Sequence, residues 1–129
     1  MRKLFKVSTK VALFNTEGRV LVIHMDKIND YGLPGGHIDE GEDIETALMR
    51  ELLEECGIKE AELRRADFFL HTNGKLILAF TGKLTSNKQL ISQQNELEGI
   101  PKWLTKEEFK TIPIEPNYKS FVLDNWPSS

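Results

Sequence analysis

A single stretch limits what this chain can become. Residues 36–58 read GHIDEGEDIETALMRELLEECGI, and acidic side chains crowd the end of a segment with helical periodicity. The tight cluster is Arg50-Glu51-Leu52-Leu53-Glu54-Glu55, closed by Gly57. At about 100° per residue, Glu51 and Glu55 fall near one line of the helix and Glu54 sits a quarter-turn away. Like charges at this spacing destabilise a helix by a few tenths of a kcal/mol per pair, and by more when partly buried. A hard divalent cation removes that repulsion. Mg²⁺ takes oxygen ligands and is usually held by a few carboxylates together with substrate phosphates.

The apolar spacing sharpens the expectation. Ile44, Ala47 and Leu48 form a stripe at i, i+3 and i+4, which continues to positions 51 and 55. Glu51 and Glu55 stand there instead. Carboxylates on an inward stripe are expensive unless paired or metal-bound. Met49, Leu52 and Leu53 widen the apolar arc, which predicts a helix packed on more than one side. A plain solvated acidic face is the alternative reading of such a charge run.

Gly36, Glu42, Arg50, Glu51, Leu52, Glu54, Glu55, Gly57 and Ile58 stand at the spacings of a known box. That box is Gly, five residues, Glu, seven residues, then Arg-Glu-aliphatic-any-Glu-Glu-any-Gly-aliphatic. On these positions, and on the lead-in Leu33-Pro34-Gly35-Gly36, the chain resembles the Nudix hydrolase family. The resemblance implies an α/β fold, an α/β/α sandwich with a mixed β-sheet, carrying the box as loop-helix-loop at one sheet edge. It also implies attack of water on a pyrophosphate linkage in a nucleoside diphosphate joined to another group.

At 129 residues the chain reads as one domain, 1–129, large enough for a proper core. No apolar run approaches the ~20 residues of a membrane span. The opening MRKLFKVSTK lacks the apolar core of a signal peptide. The single cysteine, Cys56, cannot form an internal disulfide. A cytoplasmic location is therefore expected. A net charge of −3 provides no basic field for wrapping nucleic acid, so an anionic substrate needs local positive charge. The expected partner is a small-molecule nucleoside diphosphate derivative, with no nucleic acid and no membrane; monomer and homodimer both stay open.

Strands are expected over Lys6–Phe14, Arg19–His24, Glu62–Leu70 and Lys75–Leu84, with a short one at Lys102–Leu104. Asp26–Tyr31 reads as a polar connection and Gly32–Gly36 as a loop needing glycine freedom at two successive residues. The box helix is expected over Glu42–Cys56, with Gly57 as its C-terminal cap. Thr105–Glu108 carries a capping-box pattern opening a short helix. Pro113 and Pro116 precede a final helix near Asn117–Asn125. Thr85–Glu96 reads as a polar loop.

Phosphoryl substitution needs neutralised phosphate oxygens, an in-line water and a base. The family resemblance gives the metal, Mg²⁺ with Mn²⁺ as a possible substitute, to Glu51, Glu54, Glu55 and the Gly36 carbonyl. It gives catalytic work to Glu51, Glu54 and a loop glutamate, Glu98 in preference to Glu96. Glu42 and Arg50, two turns apart on one side, are the organising pair. His37, Tyr31, Phe69 and His71 are candidates for substrate binding, with loop or strand packing as their alternative. Trp103 reads as core. The tail from Glu98 is similar to that of the NADH-pyrophosphatase branch, whose Ser-Gln-Pro signature and zinc module are absent. It is also similar to the MutT branch, although Ile114 stands where that branch tends to have asparagine. The rival reading is a catalytically silent Nudix-fold module that senses a nucleotide; RNA decapping ranks third.

Overall fold

The computed structural model describes residues 2–86 and 99–128. Strand β1 (Val7–Phe14) is the centre of the design. Its successive side chains point to opposite faces, and both faces are buried. Ala12 and Phe14 enter one core, while Val11 and Leu13 enter the other. β2 (Val20–Met25), β3 (Asp30–Gly32), β4 (Gly35–His37), β5 (Glu62–Leu70), β6 (Leu76–Lys83) and β7 (Ile100–Leu104) complete a mixed sheet. The path is β3-β2-β1-β6-β5, with β4 also on β1 and β7 also on β2. β1 and β6 run parallel over eight residue pairs, and the other pairings are antiparallel.

Helix α1 (Ile44–Cys56) covers one face, packing Leu48, Leu52 and Cys56 on Val11, Leu13, Leu21 and Phe80. Helices α2 (Lys106–Thr111) and α3 (Pro116–Asp124) cover the other, packing Phe109, Tyr118, Phe121 and Val122 on Phe14, Val20 and Ile77. This is the expected α/β/α sandwich. The Thr105–Glu108 capping box forms in both directions. Among the described residues no helix is long and apolar enough to cross a membrane.

Several expectations change. The polar connection and glycine loop contain β3 and β4, because Tyr31 pairs with His24 and Gly35–His37 pair with β1. α1 begins at Ile44, not Glu42, because the Asp43 carboxylate caps it by accepting from the Thr46 N–H at 2.8 Å. α1 lies against β4, which pairs with β1 alone among the described strands, and against β1 itself. Its stripe of Ala47, Leu48, Leu52 and Cys56 is fully buried. Leu53 is exposed, so the helix is not packed on a second side there. Pro116 opens α3 at its first turn instead of preceding it, where its fixed φ suits a helix start.

Candidate active site

The buried stripe of α1 fixes where its acids go. With Leu48 and Leu52 turned into the sheet, Glu51 and Glu55 fall on the border facing β4, and Glu54 faces outward. Gly57 ends the helix in the left-handed region at φ 71°, and its N–H reaches back to the Leu53 carbonyl at 2.9 Å.

Arg50 gathers the acids. Its Nε donates to Glu42 Oε2 at 2.8 Å and its Nη2 to Glu42 Oε1 at 3.0 Å. This fork-on-fork pair is the strong form of an arginine–carboxylate contact. Nη1 donates to Glu51 Oε1 at 3.1 Å and to Glu54 Oε2 at 3.3 Å. Nη2 also donates to the His37 carbonyl at 3.0 Å and stands 3.4 Å from Asp39. Glu42 in turn accepts the Asp39 N–H at 2.8 Å, closing the turn before the helix.

The two inner acids titrate in opposite senses. Hydrogen bonding from Arg50 holds the Glu42 carboxyl below the usual carboxylate range. Burial pushes Glu51 up, with the Arg50 contacts opposing in part. Glu55 accepts the Gly35 N–H at 2.9 Å. A Cβ on Gly36 would lie 2.8 Å from the Glu51 carboxyl carbon, so main chain and carboxylate meet only because that side chain is absent.

The donors are all hard oxygens, and the room above Gly36 is kept for oxygen atoms, which fits a hard divalent cation. Arg50 holds Glu42, Glu51 and Glu54, and the Gly35 N–H donates to Glu55. Among the described residues no group of three or more His, Cys, Asp and Glu is gathered closely enough to hold a metal.

Gly36, Glu42, Arg50, Glu51, Glu54 and Glu55 are thus brought to one place. His37 joins through its carbonyl while its side chain is exposed. Tyr31, Phe69 and His71 are not brought to the acids. Tyr31 stacks on His24 at 4.0 Å and packs on the α2–α3 core. Phe69 packs on Tyr118 and Phe121, and His71 sits edge-on to Tyr118 at 5.1 Å. These contacts lie on the sheet face opposite α1. Trp103 packs on the α1-side core, as expected of it. Glu96 and Glu98 lie outside the described residues. Sequence reading missed Asp39 and Lys10. Lys10 did leave a signal: it stands in the strand row of Ala12 and Phe14, both buried.

Residues 4–124 match the profile of the NUDIX domain. The chain belongs to the Nudix family. An RNA pyrophosphohydrolase of Wolbachia pipientis subsp. Culex pipiens is 39% identical over 62 residues, 47% of this chain and 38% of that protein. The chain spans less than half the length of the first such relatives it matches. Another, from Pelagibacter ubique, is 29% identical over 126 residues, covering 88% of this chain and 79% of the relative. Among solved structures, a NUDIX-family hydrolase of Clostridium perfringens superposes with a TM-score of 0.78 at 21% identity, covering 95% of this chain and 96% of that one. The NUDIX domain of Shewanella oneidensis NrtR, complexed with ADP ribose, superposes at 0.81 with 18% identity, covering 95% and 86%. These likenesses establish the Nudix fold.

Proposed function

We propose that the chain is a pyrophosphohydrolase that splits a phosphoric anhydride bond in a nucleotide-type substrate with the help of Mg²⁺. The observation that carries the reading is the Arg50 hub, which holds Glu42, Glu51 and Glu54 beside the Gly36 main chain. Glu51, Glu54, Glu55 and the Gly36 carbonyl would hold the metal. Mg²⁺ supplies charge neutralisation on the phosphate oxygens when bound. Arg50 keeps its acids oriented through hydrogen bonds from all three nitrogens of its guanidinium. Glu51, held by Arg50 against the Gly36 main chain, is the first candidate to take the proton of the attacking water. Glu54, more than half exposed, is reachable from solvent and is the second candidate base. Glu98 remains a third.

The preferred substrate is a small nucleoside diphosphate derivative, because a net charge of −3 provides no general attraction for a polyanion. A second reading, a phosphorylated RNA 5′ end, is favoured by the names of the sequence relatives. One panel separates them: dNTPs including oxidised dGTP, ADP-ribose, NADH, dinucleoside polyphosphates, nucleotide sugars and a 5′-triphosphorylated oligoribonucleotide, with products identified by mass. Metal-dependent release of a nucleoside monophosphate from a small member supports the first reading. Cleavage of the oligoribonucleotide alone supports the second. Binding without turnover of any member, at saturating Mg²⁺, would leave the nucleotide-sensing module as the better account.

A further inference from the structure

We propose that Lys10 is a positioning residue for the carboxylate site, its ammonium holding the Gly35–Gly36 turn so that Gly36 lies against Glu51. The Mn²⁺ arm of its test rests on the metal assignment above and the kinetic arm on the hydrolase reading; the amide spectra rest on neither. Lys10 stands on β1 in register with Gly35 of β4. Its Nζ donates to the Leu33 carbonyl at 3.2 Å and to the Gly35 carbonyl at 3.1 Å. The carbonyl between them, on Pro34, accepts the Val11 N–H at 3.1 Å. The carbonyls of residues 33, 34 and 35 are therefore all fastened from the β1 side.

Gly35 is gripped from both ends. Its N–H donates to the Glu55 carboxylate, and its carbonyl accepts from the Lys10 ammonium. An anion and a cation thus set the plane of the peptides that lead into Gly36. Gly36 has no slack, since the Glu51 carboxyl carbon lies 2.8 Å from where its Cβ would be. A shift of a few tenths of an ångström at Gly36 passes directly to Glu51, because such contacts are close-packed. The Lys10 charge also favours the ionised form of Glu51. A half-buried lysine in a row with Ala12 and Phe14 is expensive unless its donors are satisfied. Here two of its hydrogen bonds go to the Leu33 and Gly35 carbonyls, in the segment that leads into Gly36.

The test is Mn²⁺ binding, read from the free-ion electron paramagnetic resonance signal, with melting temperature measured alongside. Lys10→Met removes the ammonium and keeps the apolar stem. Lys10→Arg returns donors for the same carbonyls, and Lys10→Gln keeps a neutral donor should the methionine variant fail to fold. Removing an outer group that orients metal ligands lowers affinity on the order of tenfold. We expect that loss in Lys10→Met, a smaller one in Lys10→Gln, and recovery of most of it in Lys10→Arg. In amide NMR spectra, the Gly35 and Gly36 resonances should move in Lys10→Met. With a substrate in hand, kcat should fall with Mn²⁺ affinity while KM changes less. Binding of Mn²⁺ by Lys10→Met as tightly as by wild type, with only the melting temperature lowered, would overturn the proposal. Failure of the wild type to bind Mn²⁺ would overturn it as well. A wild type that binds Mn²⁺ but hydrolyses nothing sinks the functional reading and leaves the Lys10 result standing.

Discussion

Arg50→Ala strands two acids that are mostly covered, with Glu42 and Glu51 side chains only 17% and 15% exposed. An unpaired, partly buried carboxylate destabilises a fold more than the original pair stabilised it. The variant should melt several degrees lower by circular dichroism, and Arg50→Lys should not restore it, because an ammonium cannot make the fork to Glu42. The acids themselves should separate by pH. Glu42 sits below its ordinary value of 4.5, so its contribution is present above that pH and is lost as pH falls through the folded value. Glu51 sits above 4.5, so its ionised form is a burden on the folded state at neutral pH, and the burden disappears as pH falls. Metal-free Glu42→Gln should therefore melt below wild type at pH 7, with the gap closing in acid. Metal-free Glu51→Gln should melt at or above wild type at pH 7; a clear drop there would contradict the assignment. Glu54→Gln and Glu55→Gln keep shape and remove charge. Each should lose turnover by about 100-fold or more with the fold intact. Near-native rates at saturating Mg²⁺ would end the catalytic reading.

At the scale of elements, the two glycines before the box ask for different things. Gly35 has φ +131°, and a Cβ there would overlap the Thr9 carbonyl oxygen. Gly36 has no such backbone demand, and its constraint is the Glu51 carboxylate. Gly35→Ala should lift β4 from β1 and cost both stability and activity. Gly36→Ala should leave the melting temperature nearly unchanged and remove activity alone. Equal losses of stability in the two variants would refute this division. The sequence shows two glycines in a row but not which kind of freedom each supplies. Helix ends were legible where the cap is local, through the Thr105 side chain and the left-handed backbone of Gly57. β3 and β4 were not, because three-residue strands have too few side chains to show a period, and their partners lie elsewhere in the chain.

For the whole molecule, the box made the site legible while the topology stayed hidden. The alternating side chains of β1 announce a strand. Nothing in them announces which strands lie beside β1, or that it runs parallel to β6. Those facts follow from long-range pairing, as does the separation of Phe69 and His71 from the acids. The one cysteine sits at the end of this arrangement. Cys56 is fully buried in the last turn of α1, and burial pushes its thiol up to about 12. Alkylation then requires the helix end that carries Glu54 and Glu55 to open first. The chain carries its own clock for that event, since labelling by iodoacetamide counts openings of one particular turn. Mn²⁺ together with a diphosphate should slow the clock severalfold if both are held by that turn, whereas a ligand seated on the α2–α3 face should leave it running at its own pace.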